Sequence, residues 1–200
     1  MKDVRSGNNN YATMSGVTVN TASGNGATAA ITYLSGTDTS TIIFPNGSKP
    51  TNYTICSVAK YSSTAGAIKE RIFQDQEGLG WVYSHWKGNA GVFYNGTQVW
   101  VTPGYGASAS NISNVNDWVV MCSRTNATAT VNNILVNSVA KGSNVAINAI
   151  GQATITINGF YHEKGYFDFA YLYVWNQELT YEEMLTVSNK MNMYLRTGTM

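Results

Sequence analysis

Charge is scarce in this sequence: 12 Lys and Arg stand against 11 Asp and Glu in 200 residues, leaving a net charge of +1. So neutral a chain has no basic field to gather phosphates, which argues against nucleic acid as a partner. Histidine and cysteine are scarcer still, with His85 and His162, Cys56 and Cys122 at unrelated spacings, so no tetrahedral zinc set is expected. No apolar run approaches the ~20 residues that span a bilayer. The opening MKDVRSGNNNYATM lacks the apolar core of a secretory signal. An excised domain, a mature form, or a protein carried outside by assembly into a particle is expected. Both cysteines fall in β-like runs, YTICSVAKY and WVVMCSRT, where an unpaired cysteine acts as a small buried hydrophobe. That reading is favoured over a disulfide.

What replaces charge on the surface is Asn, Ser, Thr and Gly, an uncharged hydrogen-bonding composition common in adhesive, extracellular and virion-surface domains. Asn-x-Ser/Thr triplets begin at Asn46, Asn52, Asn95, Asn111 and Asn126. A chain this rich in the three residue types produces such triplets by chance, so they do not establish glycosylation. At this length about 70% of the unfolded surface is buried on folding, enough for a core without metal or disulfide staples.

Strand-like runs recur between Gly, Asn and Ser clusters: 27–34, 40–44, 53–61, 67–74, 80–86, 90–95, 97–101, 117–124, 128–131, 134–139, 153–158 and 166–175. Asn132 and Asn133 in TVNNILV tolerate the positive φ of a two-residue hairpin turn. No helical pattern separates the strands, which excludes parallel βαβ units. One segment differs. Thr180 and Glu183 form a capping box, and Met184, Val187, Met191 and Tyr194 or Leu195 recur at helical spacing up to Arg196 and Gly198. A helix over 180–195 is predicted, its apolar stripe covering an edge or open end of the sandwich. The expected fold is all-β: a two-sheet antiparallel sandwich with one C-terminal α-helix, formed by residues 1–200 as one domain.

The long last strand, the WNQEL turn (175–179) and the capped helix resemble the C-terminal signature of concanavalin A-like, laminin-G-like jelly-roll domains. YTICSVAKY is similar to that family's early core strand, and RIFQ with GWVYSHWKGNAGVFYNG to its paired central strands. NDWVVMCSRTNATATVNNILVN resembles its strand and hairpin, with Asn133 where the family usually has Gly, and the match is clearest over 50–198. The centre, SHWKGNAGV, is similar to such domains in surface proteins of large algal viruses. The resemblance implies a jelly roll that hosts lectins, carbohydrate-binding modules, glycan-cleaving enzymes or adhesion domains.

Fold alone does not choose among these. Retaining glycosidases need two carboxyl groups about 5 Å apart. Asp75 and Glu77 are the nearest pair in sequence, but DQEGLG reads as a solvated turn, and Glu163 and Asp168 lie on opposite strand faces. No nucleophile motif surrounds either histidine. No cofactor is implied; calcium finds at most one carboxylate with carbonyl oxygens, in NVND at 114–117.

Sugar binding requires flat aromatic faces beside neutral amides. Segment 74–106 is dense in both, and its candidate ligand-binding residues are Gln74, His85, Trp86, Lys87, Asn89, Tyr94 and Tyr105. Here His85 is expected on a polar sheet face and Trp86 at the rim, beside the Lys87–Gly88–Asn89 turn. A second candidate is the loop NGFYHEKG, with Tyr161, His162 and Glu163. The expected function is non-catalytic glycan recognition at a cell or virion surface. A structural or adhesion module with protein partners, and a glycan hydrolase or lyase without a recognisable motif, are the alternatives.

Overall fold

The computed structural model describes residues 11–76, 80–96, 112–159 and 162–200. Its strands are β1 (Thr13–Ser15), β2 (Thr18–Gly24), β3 (Ala27–Gly36), β4 (Thr41–Ile43), β5 (Thr54–Tyr61), β6 (Phe73–Asp75) and β7 (Trp81–Trp86). They continue as β8 (Asn89–Asn95), β9 (Val119–Arg124), β10 (Ile134–Val136), β11 (Val139–Ala140), β12 (Ile155–Ile157) and β13 (Phe167–Trp175), before helix α1 (Tyr181–Thr197). Two antiparallel sheets result, ordered β1-β4-β12-β6-β7-β8 and β11-β10-β9-β5-β13-β3-β2. This is the two-sheet antiparallel sandwich that the strand rhythm predicted. The expected strand at 97–101 lies outside the described residues.

Period-two alternation builds the space between the sheets. Phe73, Trp81, Tyr83 and Phe93 from one sheet meet Ile55, Ala59, Tyr61, Met121 and Phe169 from the other. Trp81 and Tyr83 stack with ring centres 5.4 Å apart, and the Trp81 indole N–H donates to the Tyr53 hydroxyl at 3.1 Å. A bulge between Phe169 and Tyr171 then turns Tyr171, Tyr173 and Trp175 toward the second apolar cluster, under α1.

Helix α1 begins and ends as its caps dictate. The Thr180 side chain accepts from Glu183 N, Glu183 reaches back to Thr180 N at 2.8 Å, and Gly198 closes the helix at φ 73°. Its position corrects the expectation. Met184, Met191, Tyr194 and Leu195 pack on Ile31, Val58, Val120 and Leu135, so α1 covers the outer face of the seven-stranded sheet instead of an edge. The outer face of β5 and β9 is apolar, and only burial under a helix removes it from water.

Other expectations change for local reasons. Cys56 and Cys122 are bonded, not free: they face each other in the β5–β9 register with Cα atoms 4.1 Å apart. That is the close cross-strand spacing of a non-hydrogen-bonded pair. Asn132 and Asn133 belong to a 3₁₀ turn capped by Thr130, and segment 128–131 forms no strand. The tight hairpin turn lies five residues on, at Asn137 and Ser138, with φ of 50° and 68°. Of the run 67–74, only its end is strand. The strands β1 and β2, rich in Thr, Ser and Asn, escaped the apolar pattern altogether.

Candidate functional site

The β7–β8 hairpin sets the site. Lys87 (φ 46°) and Gly88 (φ 76°) form its two-residue turn, and Trp86 pairs with Asn89 across it. Asn89 is buried and donates its amide to the carbonyls of Trp86 and Lys87, at 3.3 and 3.2 Å, so it shapes the turn from below. Trp86 stays partly exposed. The hairpin tip is docked by Gly88 N, which donates to Lys69 O at 2.9 Å.

Against this tip the fold places two distant segments. Arg71 pairs with Lys164 in a parallel bridge, and Tyr166 N donates to Ile68 O at 2.8 Å. Gly165 must lack a side chain here, because a Cβ would lie 2.7 Å from Glu70 N. Glu163 thereby becomes the centre of a cluster. Its Oε2 accepts from the Arg71 guanidinium and, at 3.2 Å, from the Trp86 indole, while Lys87 Nζ lies 3.5 Å from Oε1. The same ammonium sits 4.8 Å from the Trp86 ring centre, a cation–π contact. Burial would raise the pKa of Glu163, but Arg71, Trp86 and Lys87 outweigh it and hold the carboxyl below its usual range. Neighbouring Glu70 moves the other way, raised by burial first and then by the charge of Glu163.

The two segments singled out in the sequence, around residue 86 and around residue 163, therefore meet at one rim. Other candidates lie elsewhere. His85 is fully buried, against its expected place on a polar face, because the side shared by Trp81, Tyr83 and His85 is the core side. Its ring meets Tyr61 edge-on at 4.8 Å, Nδ1 bonds the Ser84 hydroxyl at 2.8 Å, and Nε2 has no partner. Burial, then the charge of Lys60, lowers its pKa to about 3. Gln74 and Tyr94 occupy one row across the other face of the six-stranded sheet, in the register Thr156–Gln74–Val82–Tyr94. Gln74 is fully buried, and its amide has no hydrogen-bond partner. His162 is exposed beside Glu163; Tyr105, Tyr161 and Glu77 lie outside the described residues.

Asp75 is not in a solvated turn: it is buried and accepts from Trp81 N at 3.1 Å. Asp117, the carboxylate of NVND, accepts the Asn114 amide at 2.7 Å. Among the described residues, no group of three or more His, Cys, Asp or Glu side chains converges as a metal site would, and no helix is long and apolar enough to cross a membrane. Sequence reasoning missed Arg71 and Glu70. Their run AIKERIFQ alternates like a strand, and only the docking of 162–166 reveals their role.

No family model matches the chain, and no curated protein matches it. Solved structures do share the fold. One is domain 4 of AbnA, a GH43 extracellular arabinanase from Geobacillus stearothermophilus, in complex with arabinotriose (TM-score 0.55, 17% identity, 88% of this chain and 87% of that one). Another is the binding domain of Paraclostridial Mosquitocidal Protein 1 (TM-score 0.61, 16% identity, 95% of this chain and 49% of that one). A third is the receptor binding domain of a botulinum neurotoxin C/D mosaic serotype (TM-score 0.55, 14% identity, 91% and 46%). The chain thus spans about half the length of the two toxin structures and most of the arabinanase domain. At such identities the likeness is one of fold.

Proposed function

We propose that this chain is a non-catalytic carbohydrate-binding module whose site is the rim formed by Trp86, Lys87, Arg71 and Glu163. The observation that carries the reading is the junction of a partly exposed indole at the hairpin tip with the ion-paired Glu163 carboxylate of the segment docked against it. A pyranose ring offers apolar C–H faces to such an indole, and its hydroxyls hydrogen-bond to flanking charged and amide groups. Lys87, whose side chain is 52% exposed, retains donors for a ligand. The arabinanase domain solved with arabinotriose supports the reading by fold. The Cys56–Cys122 bond supports an oxidising, extracellular or particle-surface location.

Recognition is favoured over cleavage because the Glu163 carboxylate is committed to Arg71, Lys87 and the Trp86 indole. A nucleophile needs a free oxygen aimed at the anomeric carbon. A glycan array with the full chain, repeated with Trp86→Ala, tests the proposal. A stacked ring contributes on the order of 1–3 kcal/mol, so the variant should lose array binding and melt within a few degrees of wild type. Release of reducing sugar by the wild type, abolished in Glu163→Gln, would replace the module by an enzyme. An array without hits would leave protein adhesion as the better account.

A further inference from the structure

Among the described residues, strand β2 ends the seven-stranded sheet and no segment covers it. It is seven residues long and exposed along almost its whole length; Val19 is 71% exposed. Soluble proteins blunt such edges with lysines, prolines, covering segments or very short strands. The opposite edge of this sheet follows that rule, since β11 has two residues. By contrast β2 reads TVNTASG, and no charged residue or proline occurs anywhere from Asn8 to Thr37.

The direction of its free backbone groups follows from β3. Thr32 N donates to the Tyr194 hydroxyl at 2.9 Å, and that hydroxyl donates to Thr32 O at 3.0 Å. The polar groups of Thr32 therefore point away from β2. Thr21, opposite Thr32, sits at a non-hydrogen-bonded position of the pair, and so does Val19, opposite Leu34. Val19 and Thr21 thus aim their N–H and C=O groups outward. The strand is also held in place: Asn20 donates its amide to Ser35 Oγ at 2.9 Å, and Ser35 donates to Asp168 at 2.6 Å. An edge already ordered sacrifices little entropy on pairing.

We propose that β2 pairs antiparallel with β2 of a second copy of this chain, joining two seven-stranded sheets across a two-fold axis. The occupant is a second copy because the edge is self-complementary. A two-fold through Asn20 sets Val19 opposite Thr21 of the copy and Thr21 opposite Val19, an arrangement that uses every outward group just named. No charge on the strand opposes its own image. Independently of the glycan reading, such a pair would present two copies of any site in one particle and gain by avidity.

Sedimentation of the full chain from about 10 µM to about 1 mM, with amide exchange of segment 18–24 at both ends, tests this. The mass should rise from one chain toward two, and the Val19 and Thr21 amides should become protected only at high concentration. Val19→Lys with Thr21→Lys should abolish both effects; both side chains are exposed, so an unchanged circular dichroism melt shows that the variant folds. A mass independent of concentration overturns the proposal, as does a dimer that survives the lysines. So does a chain that remains single yet protects β2 only when an extended peptide is added.

Discussion

Breaking the Cys56–Cys122 bond should be a costly chemical change to this fold. The bond closes a loop of 66 residues between β5 and β9, at the centre of the seven-stranded sheet. On the loop-entropy model, a closure of that size removes about 15 cal/mol/K from the unfolded chain, or about 4 kcal/mol at 25 °C. For a domain of this size each kcal/mol moves the melting point by about 2–4 °C, so reduction should lower it by roughly 8–16 °C. Both cysteines are fully buried, so reductant must act on the denatured chain, followed by refolding with the reductant retained. Thermal melts of the oxidised and reduced forms, with thiols counted in denaturant, supply the comparison. Two free thiols in the unreduced protein would remove the bond itself. An intact bond whose loss shifts the melt by under about 2 °C would refute the entropy argument.

Acid should destabilise the protein through His85. Its folded pKa of about 3 lies below the usual 6.5, so the stability of its neutral form is present above 6.5 and lost as pH falls toward 3. The loss approaches about 5 kcal/mol at the acid end; in His85→Gln the denaturation midpoint should fall less between pH 7 and 4, and parallel curves would refute this. Asp168→Asn should cost roughly 3–5 kcal/mol in urea melts, because it strands Lys60, whose ammonium lies 2.5 Å from Asp168 in a buried pair. An asparagine variant as stable as wild type would show that Lys60 is solvated. Thr180→Ala should cost about 1 kcal/mol by opening the capping box of α1, and an unchanged urea midpoint would show that packing alone holds the helix end.

The elements that depend on neighbours in sequence were determined by sequence alone. Alternation marked the long strands β3, β5, β7, β8 and β13, and Thr180, Glu183 and Gly198 marked both ends of α1. Such signals act over one turn or one pleat, so they survive in a bare string of residues. Trp86 at a rim belongs with them, because the turn beside it is local.

Only tertiary structure decided which face of each element met which partner. Alternation grouped His85 with Trp81 and Tyr83 but did not say that their side is the core. The cysteines are 66 residues apart, and only the β5–β9 register makes them opposites. Helix α1 lies on a sheet face because the apolar row of Val58, Val120 and Leu135 comes from three strands that pair over long separations. The rim is the clearest case. Arg71 is unremarkable in the string, and Trp86 and Glu163, singled out separately, join it in one cluster only when 162–166 docks against 68–71 beside the hairpin tip. Contacts across that distance in sequence depend on the closure of the whole sandwich, which no local period encodes.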